Sequence, residues 1–70
     1  MNNIIFSGYG VDVLRRDGCL YAIYDAGGIA IEMVEVKITE EELRRIQTSG
    51  EETYRVLVAT QNERRPTRRV

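Results

Sequence analysis

Apolar residues fall in short alternating runs through the first half of the chain and at helical spacing through the second. Ile4-Ile5-Phe6, closed by Ser7-Gly8-Tyr9-Gly10, predicts a first strand over Asn2 to Ser7. Val11 to Arg16 and Cys19 to Tyr24 flank Asp17-Gly18, the two-residue signature of a type I′ hairpin. Asp25-Ala26-Gly27-Gly28 marks a second turn, with the next strand beginning at Ile29.

These turns imply a register. The Asp17-Gly18 turn sets Arg15 opposite Leu20, Val13 opposite Ala22 and Val11 opposite Tyr24. The second turn would set Tyr24 opposite Ile29, Ala22 opposite Ile31 and Leu20 opposite Met33. Residues directly opposite share a face, so one face is expected to collect Val11, Val13, Leu20, Ala22, Tyr24, Ile29, Ile31 and Met33. The other collects Asp12, Leu14, Arg16, Cys19, Tyr21, Ile23, Ala30 and Glu32. Beyond Met33 the apolar parity switches to Val34, Val36 and Ile38. Either a bulge near Met33-Val34 returns those residues to the core face, or the strand bends onto another neighbour.

Thr39-Glu40-Glu41-Glu42 is a capping box, with its glutamates at the positive end of a helix dipole and Leu43 and Ile46 as the apolar stripe. Ser49-Gly50-Glu51-Glu52 repeats the device and predicts a second helix from Gly50 to about Glu63, with Tyr54, Leu57, Val58 and Gln61 at helical spacing. The same segment alternates as Tyr54, Val56, Val58 and Thr60, a strand pattern rich in β-branched residues; the cap favours the helix. The expected architecture is α+β: an antiparallel β-meander of three to four strands, then two short helices packed on one face, in a single domain over 1–63. Residues 64–70 read as a disordered Arg-rich tail.

Composition then narrows the partners. The chain has 70 residues, 43% hydrophobic and 30% charged, near the lower size at which one core holds a fold unaided, so a partner chain is a natural source of added stability. Its net charge of −1 conceals a division. Arg64, Arg65, Arg68 and Arg69 make the last seven residues +4, against six basic and eleven acidic side chains before them. A lone Cys19 allows no internal disulfide, and without histidine a Cys/His zinc site is excluded. No signal-like or membrane-spanning run is read, so a cytoplasmic location is expected.

The candidates for chemistry have simpler readings. Without histidine, acid–base catalysis near neutral pH lacks its usual agent. Ser7 reads as a turn residue and Ser49 as a helix cap. Cys19 would face Arg16 across the hairpin, as a half-exposed structural thiol. The glycines at 27 and 28 lack the lysine and following helix of a phosphate loop. Arg15 and Arg16, beside Asp17, read as a solvated strand end. The expectation is a protein that is not an enzyme and uses no cofactor or metal.

Binding remains. Leu14, Tyr21, Ile23, Ala30 and Val34 amid Asp12 and Glu32 suit capture of a cationic protein. Tyr24-Asp25-Ala26-Gly27-Gly28, Ile38-Thr39-Glu40-Glu41-Glu42-Leu43 and Ser49-Gly50-Glu51-Glu52-Thr53-Tyr54-Arg55-Val56-Leu57 lie on a small meander followed by helices. Over roughly 20–61 this resembles the small immunity proteins of bacterial polymorphic toxin and contact-dependent inhibition systems. The resemblance implies binding to a cognate toxin, often a nuclease, through acidic surfaces. It makes Asp12, Tyr21, Glu32, Glu35, Glu40 and Glu41 the candidate contacts, and it does not account for the arginines. An alternative is a nucleic-acid accessory protein using Arg64, Arg65, Arg68 and Arg69, although the acidic body opposes it. Another is a homodimeric module formed by edge-strand pairing.

Overall fold

The computed structural model describes residues 3–68. Five strands run as an antiparallel meander in spatial order 1-2-3-4-5: β1 (Asn3–Gly8), β2 (Val11–Arg16), β3 (Cys19–Asp25), β4 (Met33–Ile38) and β5 (Thr67–Arg68). Two helices, α1 (Glu40–Thr48) and α2 (Gly50–Arg64), come between β4 and β5. The expected α+β meander with two following helices is the fold, and the sheet stays open.

Both hairpin turns joining β1, β2 and β3 are two-residue turns with positive φ at each central position. Asp17 and Gly18 sit at 53° and 80°, and Tyr9 and Gly10 at 53° and 79°, the type I′ requirement. The β2–β3 register is the expected one, with Val11, Val13 and Arg15 facing Tyr24, Ala22 and Leu20. Ladder continuity breaks in β1, between Ile4 and Phe6.

The β3–β4 connection departs from expectation. Leu20, Ala22 and Tyr24 pair with Ile38, Val36 and Val34, not with Met33, Ile31 and Ile29. The connection is a long loop over residues 26–32, and no bulge interrupts the β3–β4 pairing at Met33-Val34. Strict alternation decides it. Val34, Val36 and Ile38 alternate without a break against Glu35 and Lys37, whereas a strand starting at Ile29 changes parity at residue 33. Lengthening a turn by several residues costs little closure entropy, while a ladder defect under a core costs packing. Ile29, Ile31 and Met33 are consequently exposed.

The core lies on one side of the sheet. Val11, Val13, Leu20, Ala22, Tyr24, Val34, Val36 and Ile38 are buried with Leu43 and Ile46 of α1 and Val56 of α2, and Phe6 and Leu57 pack against them. Thr39 and Glu42 form the reciprocal capping box, at 3.1 Å for the Glu42 N–H to the Thr39 hydroxyl and 2.8 Å for the Thr39 N–H to the Glu42 carboxylate. Residues 50–64 are helical, begun by the Ser49 hydroxyl accepting from the Glu52 N–H.

The buried stripe of α2 is Thr53, Val56 and Thr60, with Leu57 half-buried. The expected Tyr54 and Gln61 are exposed instead. The two threonines pass as core residues because their hydroxyls are satisfied locally. Thr53 Oγ1 donates toward the carbonyls of Ile46 and Ser49 at 2.7 and 2.8 Å, and Thr60 Oγ1 donates to Leu57 at 2.9 Å.

The segment expected to be a disordered tail is placed otherwise over its described part. Arg64 ends α2, Arg65 takes a left-handed cap conformation at φ 48°, and Thr67–Arg68 pair with Glu35 and Val34. Arg69 lies outside the described residues.

Two substitutions test the core. Ile46→Ala, at a fully buried position, is expected to lose about 2–5 kcal/mol in urea unfolding, a large share of what so small a domain holds. Tyr24→Phe removes a buried hydroxyl that has no hydrogen-bond partner among the described residues. It should leave the urea midpoint unchanged or raise it, because no bond is lost with the oxygen.

Candidate functional site

Alternation across the paired strands distributes side chains over the second face of the sheet, the one without helices. One row crosses it as Ser7, Asp12, Ile23, Glu35 and Thr67, and the next as Ile4, Leu14, Tyr21 and Lys37. Arg16 and Cys19 follow at one end, Asp25 and Met33 at the other. Leu14 is buried here although it lies outside the main core cluster.

Two charged groups on this face pair with each other, and a third accepts a hydrogen bond. The Arg16 guanidinium lies 4.2 Å over the Tyr21 ring and reaches the Glu35 carboxylate at 2.6 Å. The Ser7 hydroxyl donates to Asp12 at 2.6 Å. Arginine, ring and carboxylate form a diagonal brace across β2, β3 and β4, combining a charge-assisted pair with a cation–π contact.

Beside this face stands the 26–32 loop. One oxygen of Asp25 accepts from the N–H groups of Gly27 and Glu32, both at 2.8 Å, and the Ala26 N–H donates to the Glu32 carbonyl at 2.9 Å. The hydrogen bonds from Glu32 and Gly27 hold the Asp25 carboxyl below its ordinary range. A Cβ on Gly27 would lie 1.8 Å from the Ala30 carbonyl oxygen, so only glycine fits there. Between these fastenings the loop carries Gly28-Ile29-Ala30-Ile31 without a charge, with Ile29 107% and Ile31 81% exposed. At its foot an open cleft of ≈ 370 Å³ is lined by Ile31, Glu32, Met33 and Arg68.

Of the contact residues expected from the sequence, Asp12, Tyr21 and Glu35 share the open face. Glu32 closes the loop and pairs with Arg68 at 3.2 Å. Glu40 and Glu41 do not join them: both belong to the first turn of α1, in the layer across the sheet, where Glu40 pairs with Arg15 at 3.0 Å. The residues that sequence reasoning missed are Ile29 and Ile31, which it placed in the core. Their signal was present as an uncharged run bracketed by Asp25 and Glu32, preceded by two glycines and followed by a second, unbroken alternation.

The basic segment is turned onto the body's own acids. Arg64 pairs with Glu42 at 2.8 Å and donates to the Lys37 carbonyl at 3.3 Å, while Arg68 meets Glu32. Arg65 is exposed at the helix cap. A cleft of ≈ 320 Å³ lies between this segment and Tyr21, Glu35 and Lys37. Burial would push the Glu42 carboxyl up; hydrogen bonds from Arg64 and the Thr39 N–H, with the Arg64 charge, outweigh it and hold that carboxyl low.

No group of three or more His, Cys, Asp or Glu side chains among the described residues is arranged to hold a metal ion, and no described helix is long and apolar enough to cross a membrane. No protein-family model matches the chain, and neither does any curated protein or any solved structure.

The Arg64–Glu42 pair predicts a pH-dependent contribution. A carboxylate held low stabilises the fold above its unfolded pKa and loses that contribution as pH falls through its folded pKa. Arg64→Ala should therefore lower unfolding free energy at neutral pH by roughly 0.5–1 kcal/mol. The difference from the parent chain should shrink once the medium is acidic enough to protonate Glu42, leaving only the bond from Arg64 to the Lys37 carbonyl, as read from paired urea titrations.

Proposed function

We propose that the chain is a small non-catalytic module that binds another protein, and that it acts as an inhibitor of the immunity-protein kind, occluding a cognate toxin or effector. The observation that carries this reading is the Ile29–Ile31 loop: two large aliphatic side chains in full view of solvent, on a backbone fastened at both ends. A solvated loop does not ordinarily present consecutive apolar contacts on a fixed frame. A partner gains most from a surface already ordered before binding, since less conformational entropy is lost on docking.

The neighbouring face supplies the remainder of a docking surface. Tyr21, Ile23 and Met33 provide apolar and aromatic area, with Asp12, Glu32 and Glu35 around them. The partner that fits has an apolar recess for the two isoleucines and basic groups at its rim. Because those carboxylates already hold internal partners, their role is in orienting and steering the partner. Affinity rests on the loop.

The test uses the product of the neighbouring reading frame, expressed alone and with this chain. The expected result is growth arrest by that product alone, relief on co-expression, and a stable equimolar complex. Burial of each isoleucine is worth about 1.5–3 kcal/mol, so Ile29→Asp with Ile31→Asp should weaken the complex by roughly a hundredfold or more while the circular dichroism of the free chain stays unchanged. A neighbour that is harmless alone, or protection undiminished in the double variant, would overturn the reading.

A further inference from the structure

The two edges of the sheet are treated differently by the chain itself. At the β4 edge, β5 pairs with Val34 and Glu35, and the Arg64 guanidinium takes the Lys37 carbonyl. Backbone groups along that edge are thereby occupied by the chain's own basic segment. At the opposite edge, β1 has β2 on its inner side and no paired strand on its outer side among the described residues. β1 is six residues long, Asn3-Ile4-Ile5-Phe6-Ser7-Gly8, with no charged residue and no proline. Ile4 is 65% and Ile5 40% exposed.

Exposed edges are ordinarily blunted by lysine, proline, brevity or a bulge. Of these β1 has only the irregularity between Ile4 and Phe6. From these observations we infer that β1 is a self-association edge: two copies of the chain pair their β1 strands antiparallel about a two-fold axis, continuing the sheet from one subunit into the other.

Three features select a second copy as the occupant. The opposite edge ends in β5, which is only two residues long, carries Arg68 and follows Pro66, so a head-to-tail arrangement has only a short, blunted strand to use there. The isologous β1–β1 contact is the one that closes, giving a dimer and not a fibre. The strand is also uncharged in a chain of which 30% is charged. It thus meets its own copy without like-charge repulsion, and it offers a charged foreign strand nothing to recognise. The size of the domain points the same way: with 70 residues and one helix-covered face, extra burial at Ile4 and Ile5 adds to a core near the lower limit for independent stability. The basic C-terminal segment gains a role here, as the short charged strand that blunts the other edge.

The association is independent of the Ile29–Ile31 loop, so either can hold without the other. The deciding measurement is sedimentation equilibrium of the full chain across the micromolar range. The expected mass is twice the 8.0 kDa of one chain, and hydrogen exchange should show β1 amides that do not bond to β2 gaining protection with concentration. Ile4→Lys places like charges on both sides of the two-fold axis and should weaken dimerisation about ten-fold or more. Ile29→Asp should leave it unchanged. Should Ile4→Lys unfold the chain, Ser7→Pro removes a β1 N–H without adding charge and is read by the same mass measurement. A mass of 8.0 kDa throughout that range, or β1 amides whose exchange ignores concentration, would overturn the inference.

Discussion

Everything in this protein depends on one apolar surface, the face on which Val13, Ala22 and Val36 stand side by side on three adjacent strands. Val13 and Ala22 are fully buried, and Ile46 and Val56 close over the same cluster from the two helices. Both helices lie over this face of the sheet, and neither lies over the opposite face. The β2–β3–β4 register therefore decides which side chains enter the core and, by parity, which stand on the other side.

The helical layer is fastened to that face by polar devices that cost it no apolar area. The Thr39–Glu42 box starts α1 directly at the end of β4, and the Ser49 cap starts α2 one residue after α1 ends. The single Thr53 hydroxyl proton then lies within reach of two carbonyls at that junction, which lets a hydroxyl-bearing residue sit where an aliphatic one would otherwise be required. Glu42 serves twice: it completes the cap and receives Arg64 from the far end of α2. The basic segment thus acts first inside the molecule, and the sharp division of charge along the chain becomes a set of short ion pairs in the fold. That arrangement disfavours reading the arginines as a free polyanion-binding arm.

The proposed function rests on what the core leaves outside. The loop at 26–32 is ordered by Asp25 and Gly27 yet buries neither of its isoleucines. The open face beside it is braced by Arg16, Tyr21 and Glu35. Order without burial is the property that binding surfaces share with neither cores nor plain solvent loops, and the unpaired strand edge lies elsewhere on the sheet, at β1. A protein partner and a second copy can use these two regions at once, since the loop belongs to β3 and β4 and the open edge to β1.

What the amino-acid order determined by itself was everything governed by near neighbours. Asp17-Gly18 specified a turn and with it the β2–β3 register; Thr39 and Glu42 specified where a helix begins; Ser49 tipped residues 50–64 from strand to helix. In each case the energy lies in groups two to four residues apart. The placement of Ile29 and Ile31 was not of that kind. Two alternations, one from Ile29 and one from Val34, offered equally apolar strands, and the choice rested on which kept an unbroken ladder under the helices. The stripe of α2 was decided partly in the same way, because the Thr53 hydroxyl reaches the Ile46 carbonyl of α1 only once the two helices are folded together, whereas Thr60 uses the carbonyl of Leu57 in its own helix. The folding-back of Arg64 and Arg68 joins residues 22 and 36 positions apart from their acids. Composition announced the opposite charges, and only tertiary structure could bring them together, since an ion pair forms where the packed backbone places its ends.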